Sequence, residues 1–187
     1  MRIILTTLTL ALLAGCSSTR EIAETFDSRQ NAGACPAVGS IYDAARVVQF
    51  GEGSEDLYTN IAYTGEITDV RSFCRYAGAD PLNAELEIDF AFGKGPVADA
   101  TTHDYGYWVA VTRRNGKVLA KEYYTVTADF GSGKLAGATQ KIDRITIPRL
   151  DESIAGTNFE ILVGFDLSDK ELAFNRAGKR FLLDAGS

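Results

Sequence analysis

Ala84-Glu85-Leu86-Glu87-Ile88-Asp89-Phe90-Ala91-Phe92 is the stretch on which the fold turns. Apolar side chains at 84, 86, 88, 90 and 92 alternate with acids at 85, 87 and 89. A period of two puts the two sets on opposite faces of an extended chain, so the segment reads as a strand with one dry and one wet face. The three acids would stand about 7 Å apart along that wet face, too far to hold one cation without further ligands. They read as a solvated face.

The same period runs outward from this strand. Trp108-Val109-Ala110-Val111-Thr112 and Val118-Leu119-Ala120 flank Asn115-Gly116, a pair suited to a two-residue type I′ hairpin because both positions need positive φ. That register sets Val111 opposite Ala120 and Val109 opposite Glu122, and it pairs Trp108 with Tyr123 on the other face. The inward parity continues through Tyr124, Val126, Ala128 and Phe130, which predicts one long strand from Lys117 to Phe130. Glu122 breaks the apolar set, and a β-bulge turning it outward would restore consistency. Phe159, Ile161, Val163, Phe165 and Leu167 mark a third clear strand.

Weaker strand signals lie at Val47 to Phe50, Ile61 to Tyr63, Glu66 to Tyr76 and Lys141 to Ile147, with a parity change between Ile67 and Val70 that predicts a bulge. Ser168-Asp169-Lys170-Glu171 has the form of a capping box opening a short helix through Arg176, stopped by Gly178. The expectation is all-β: an antiparallel, Ig-like sandwich of seven to nine strands with one short C-terminal helix. The chain is 45% hydrophobic and 24% charged, the composition of a folded domain, and residues 35–187 are read as a single one.

The N-terminus is different in kind. Arg2 is followed by a run from Ile3 to Ala14 that is apolar but for three threonines, and then by Gly15 and Cys16. This is the order of a secretory signal, with an apolar run of about 12 residues against the roughly 20 that span a bilayer. Leu13-Ala14-Gly15-Cys16 resembles a lipobox, the motif of bacterial lipoprotein precursors. The resemblance implies cleavage after residue 15, a diacylglyceryl group on the Cys16 thiol and, with Ser17 next, sorting to the outer rather than the inner membrane. Two or three acyl chains hold a protein stably where one does so only marginally, so this anchor would need no transmembrane helix.

Residues 16–34 then form a polar tether in which Ile22 and Phe26 are the only bulky apolar side chains. If flexible, its reach is on the order of 25 Å. With Cys16 lipidated, Cys35 and Cys74 remain as an even pair in an oxidising compartment, which predicts one disulfide.

Cys35-Pro36, Cys74-Arg75-Tyr76, the run Tyr107-Trp108-Val109-Ala110-Val111, and Val163-Gly164-Phe165 ahead of Asn175-Arg176 together resemble small lipoproteins of alphaproteobacteria. That likeness covers most of the mature domain. It implies a compartment and an Ig-like sandwich, and it carries over no catalytic residue.

Motifs for chemistry are sparse. His103 is the only histidine, so a site with several histidine ligands cannot be built within one chain, and it sits in the polar run Ala100-Thr101-Thr102-His103-Asp104, read as a surface loop. No GxSxG surrounds a serine. Gly131-Ser132-Gly133-Lys134 echoes a phosphate loop, but Ala128 stands where the first glycine belongs and Leu135 replaces the hydroxyl residue. The net charge is −6, or −7 once Arg2 leaves with the signal, and this disfavours nucleic acid.

The reading is a non-enzymatic envelope lipoprotein, without catalytic residues, metal or cofactor, that binds or scaffolds another envelope component. Its expected contact surface is the aromatic cluster Tyr105, Tyr107, Trp108, Tyr123 and Tyr124, since Tyr and Trp are favoured at interfaces. The alternative is a glycan-binding or glycan-hydrolysing envelope protein using those rings with nearby acids.

Overall fold

A computed structural model describes residues 34–53, 56–76, 81–150 and 153–179. The signal, Cys16 and nearly all of the tether lie outside these residues. Among the described residues eight strands and one α-helix follow in order, with three short 3-10 turns between them: β1 (Ala37–Ser40), β2 (Arg46–Phe50), β3 (Ile61–Arg75), β4 (Leu82–Lys94), β5 (Thr102–Arg113), β6 (Val118–Asp129), β7 (Leu135–Ile147), β8 (Phe159–Phe165) and α1 (Asp169–Arg176). They form two four-stranded sheets, β1-β8-β5-β6 and β2-β3-β4-β7. The result is the expected all-β sandwich. Its first sheet has one parallel pair, β1 with β8; every other pairing is antiparallel.

The deciding stretch behaves as its period requires. Ala84, Leu86, Ile88, Phe90 and Phe92 are all at most 3% exposed and form the dry face of β4. Across the core Phe90 meets Tyr107 with ring centroids 5.2 Å apart, and Phe92 stacks on Tyr105 at 4.5 Å. The wet face carries more than solvated acids. Arg71 of β3 reaches Asp69, Glu87 (3.2 Å) and Asp89 (2.7 Å), while Arg75 reaches Glu85 at 3.3 Å. Asp69 and Asp89 are direct cross-strand partners, a like-charge pairing that costs stability unless a cation sits between them. Arg71 is that cation.

The bulge expected between Ile67 and Val70 is present as a register shift between Ile67 and Asp69. The two weak signals at Ile61 to Tyr63 and Glu66 to Tyr76 are one continuous strand, because the irregularity bends β3 without ending it. Ser168 caps α1 through the Glu171 backbone N–H, and the Glu171 side chain accepts from the Ser168 backbone N–H at 2.7 Å. Gly178 follows at φ 71°. The Cys35–Cys74 disulfide joins the segment leading into β1 to the end of β3, with a Cα–Cα distance of 5.7 Å.

Two details of the hairpin correct the sequence reading. The tip is not a two-residue I′ turn. Gly116 N–H donates to Arg113 O at 2.8 Å and Gly116 alone takes a positive φ of 82°, so Arg114, Asn115 and Gly116 form a three-residue loop. Asn115 stays at negative φ and accepts the Lys117 N–H through Oδ1 at 3.1 Å, a local bond that favours the longer loop. A register shift between Val111 and Thr112 then absorbs the extra residue, so Val111 still faces Ala120, Val109 faces Glu122 and Trp108 faces Tyr123.

The second correction concerns Glu122. No bulge turns it out; it keeps the inward parity in an unbroken register. Burial along that parity grades from Val126 and Ala128 in the core to an exposed Glu122 and Ala120, because the opposite sheet covers only the far half of this edge strand. Its carboxylate accepts the Tyr124 hydroxyl at 2.6 Å.

Candidate functional site

The aromatic cluster expected to make contacts is split by strand parity. Tyr105 and Tyr107 are 2% and 1% exposed and belong to the core, so the contact-surface expectation fails for both. Residues one apart on a strand point to opposite faces, and Tyr107 therefore cannot share a surface with Trp108. Burial raises the hydroxyl pKa of both tyrosines, and Tyr105 is held by a bond to Thr64 O at 2.9 Å.

Trp108 and Tyr123 do lie together on the outer face as cross-strand partners. Trp108 is half-buried and its indole N–H donates to Phe165 O at 3.1 Å. Lys121 lies over both rings, 4.4 Å from Trp108 and 4.9 Å from Tyr123. Tyr123 alone remains open, at 62% exposure. The pair is largely occupied by the protein's own groups. Tyr124 stacks on Tyr107 and is half-buried, its hydroxyl pKa raised to about 12 by desolvation and by the bond to Glu122.

A concave feature of the described residues lies elsewhere. A cleft of about 640 Å³ opens at the end of the sandwich where β2 finishes and β5 begins, within the range of ligand sites. Its walls come from Val48, Gln49 and Phe50 of β2, Tyr63 of β3, Asp99 and His103 around the start of β5, and Lys170 and Phe174 of α1. His103 is not in a loop: it belongs to β5 and is half-buried.

The polar groups of the cleft are tightly arranged. The His103 ring stacks on Tyr63 with centroids 3.9 Å apart and meets Tyr105 edge-on at 4.7 Å. Its Nε2 is 2.7 Å from Gln49 Oε1, which accepts the ring N–H. Burial lowers the His103 pKa, partly opposed by Asp104, and so favours the neutral ring near pH 7. Tyr63 donates to Asp99 Oδ1 at 3.3 Å and accepts the Ala100 N–H at 3.1 Å. Asp56 is held by Lys170 at 3.3 Å and Lys179 at 3.6 Å. Glu171 is used in the helix cap. Phe50 and Phe174 form an edge-to-face pair at 5.5 Å on the apolar side.

Such an arrangement offers planar hydrogen-bonding groups beside rings, on a rigid strand frame. Among the described residues no group of three or more His, Cys, Asp or Glu is placed to hold a metal ion, and no helix is long and apolar enough to cross a membrane. The site could have been found from parity. His103, Tyr105, Tyr107, Val109 and Val111 are all odd-numbered on one strand, so an inward Val109 implies an inward-facing His103.

Fold and cleft together define an all-β sandwich domain, stapled by one disulfide, with a ligand-sized concavity at one end. No protein-family model, no curated protein and no solved structure matches the chain.

Proposed function

We propose that this chain is a lipid-anchored lipoprotein of the bacterial cell envelope, held through Cys16 at the outer membrane, whose sandwich is a non-enzymatic binding module facing the periplasm. The observation that carries the binding role is the position of the cleft. Ala34 and the Cys35–Cys74 bond lie where β1 begins and β3 ends, while Gln49, Tyr63 and His103 lie where β2 ends and β3 and β5 begin. The strands run between these two ends, so a domain tethered at residue 34 presents the cleft away from its anchor.

The partner fits as an envelope component that offers hydrogen bonds to Gln49, Asp99 and His103 and an apolar edge to Phe50. Binding suits the cleft better than proton transfer, because three of its four acids, Asp56, Asp99 and Glu171, are each already engaged by a donor. A second reading, glycan binding or hydrolysis, draws on the same cleft, whose rings Phe50, Tyr63 and Phe174 stand beside acids.

The test joins anchor and cleft. Mass spectrometry of the mature protein should show a lipidated Cys16, and Cys16→Ser should abolish membrane retention. Crosslinking in native membranes should then recover a partner that Gln49→Ala loses with the fold intact. Binding and turnover of envelope glycan fragments would move the assignment to the second reading, and an unmodified mature N-terminus beginning elsewhere would sink the lipoprotein one.

A further inference from the structure

We infer that the tethered end of the sandwich is itself a docking surface for anionic phospholipid headgroups, so that the domain rests end-on on the leaflet that anchors it. This rests on the lipoprotein reading. Four observations place the surface.

The chain leaves the domain at Ala34, whose carbonyl accepts the Tyr76 hydroxyl at 2.5 Å, and Tyr76 also accepts the buried Gly156 N–H at 2.6 Å. The disulfide fixes the next residue. The exit point of the tether is therefore rigid, and the end of the sandwich nearest the anchor is set by covalent and hydrogen bonds.

The register identifies what shares that end. Ala37 pairs with Glu160, Arg113 with Phe159, and the Arg114 N–H bonds to Asn158 O, so the β5–β6 hairpin tip lies beside the start of β1. That tip is Arg113-Arg114-Asn115-Gly116-Lys117, three cations and no acid in a chain of net charge −6. All five residues are exposed, and no described acid forms an ion pair with Arg113, Arg114 or Lys117. Arg113 rests over the Phe159 ring at 5.6 Å, which leaves Arg114 and Lys117 projecting.

Exposed apolar side chains accompany the cations. Val118 follows the tip at 56% exposure, and Leu150, in the β7–β8 connection at the same end, is 87% exposed. Basic residues beside exposed apolar ones are the composition of a membrane-interface contact. Asp80, Asp151 and Glu152, acids of the neighbouring connections by sequence, lie outside the described residues.

Finally, at the opposite end the described acids outnumber the described cations. Glu52, Asp56, Asp99, Asp104, Asp129 and Asp166 lie by register and connection around the cleft end, against Lys94, Lys134, Lys170 and Lys179, of which the last two pair with Asp56. An anionic leaflet attracts one end and repels the other, and this orients the cleft toward the periplasm.

The experiment supplies the anchor chemically. The mature chain from Cys16, its other two cysteines held in the disulfide, is coupled through Cys16 to a maleimide lipid in nanodiscs carrying a paramagnetic headgroup lipid. Amide resonances then report proximity to the bilayer. With phosphatidylglycerol in the disc, Asn115 and Gly116 should broaden strongly and Gly131 and Ser132, at the far end, should not. Phosphatidylcholine discs, or about 1 M salt with its roughly 3 Å screening length, should remove the difference. At about fivefold per cation, R114Q/K117Q should lower the docked-to-undocked ratio by about 30-fold while leaving the other shifts in place. Equal broadening at both ends, insensitivity to lipid charge, or stronger broadening at Ser132 would overturn the inference. Absence of native lipid on Cys16 would instead remove the lipoprotein reading, and the nanodisc result would still say whether this end binds anionic lipid.

Discussion

Removing the disulfide with C35A/C74A tests how the two sheets are held together at the tethered end. The bond spans 39 residues and connects the segment leading into β1, which pairs with β8 in one sheet, to β3 of the other. Chain entropy for a loop of that length gives about 4 kcal/mol. For a domain of roughly 150 residues, each kcal/mol moves the thermal midpoint about 2–4 °C, so the midpoint should fall by roughly 8–16 °C. Other contacts at the junction survive the change: Tyr76 still bridges Ala34 and Gly156, and Arg149 still lies 5.0 Å from the Tyr76 ring. The native spectrum should therefore persist. Urea unfolding should show a lower midpoint with a steeper slope, since the unlinked chain exposes more surface. A loss below about 1 kcal/mol at unchanged slope would refute the reasoning, because it would mean that the linked and unlinked denatured chains are equally restricted. Tyr76→Phe, which leaves the buried Gly156 N–H without its acceptor, should cost about 1–3 kcal/mol. Its effect should be non-additive with the cysteine changes, which touch the same junction.

Other expectations follow from single contacts. Arg71→Ala leaves Asp69 facing Asp89, whose pKa Arg71 holds below the usual carboxylate value. The variant should be less stable than the wild type at neutral pH, and the gap should close as pH falls and the carboxylates protonate, as thermal melts across pH would show. For His103 the folded pKa lies below the ordinary 6.5, so the unfolded chain binds more protons through that range; stability should be full above about pH 6.5 and fall as pH drops below it, and His103→Gln should flatten this part of the profile. Gly164→Ala should cost about 1–3 kcal/mol in urea unfolding, because the new Cβ would stand 2.5 Å from Trp108 Cζ2 and 2.8 Å from Ala44 Cβ. Trp108→Thr should destabilise by about 1–3 kcal/mol through loss of the pair with Tyr123 and the bond to Phe165 O, while pull-downs should return the same partners as the wild type.

Much of this architecture is local and therefore legible along the chain. Alternation in residues 84–92 decided strand against helix, since only a period of two puts five apolar side chains on one face. The cap at Ser168, the irregularity after Ile67 and the pairing of Cys35 with Cys74 are also short-range chemistry or simple elimination, and each stands in the structure. Even the register of β5 with β6 was readable, although its tip was not. Two one-residue changes, a longer loop and a shift at Val111, cancel beyond the turn.

What periodicity cannot express is which strands become neighbours and how far each face is covered. Glu122 has the parity of a core residue and the exposure of a surface one, because coverage depends on where the opposite sheet ends. The parallel pairing of β1 with β8 joins segments more than a hundred residues apart, and nothing local specifies it. The cleft is of the same kind. His103 and Gln49, 54 residues apart, meet only because β2 and β5 lie in different sheets that come together at one end. The alternation of side chains is a property of a single extended chain, set by local backbone geometry. The cleft and the basic tip beside the tether are properties of the packing, because a site is made by residues that the register brings together and the sequence holds apart.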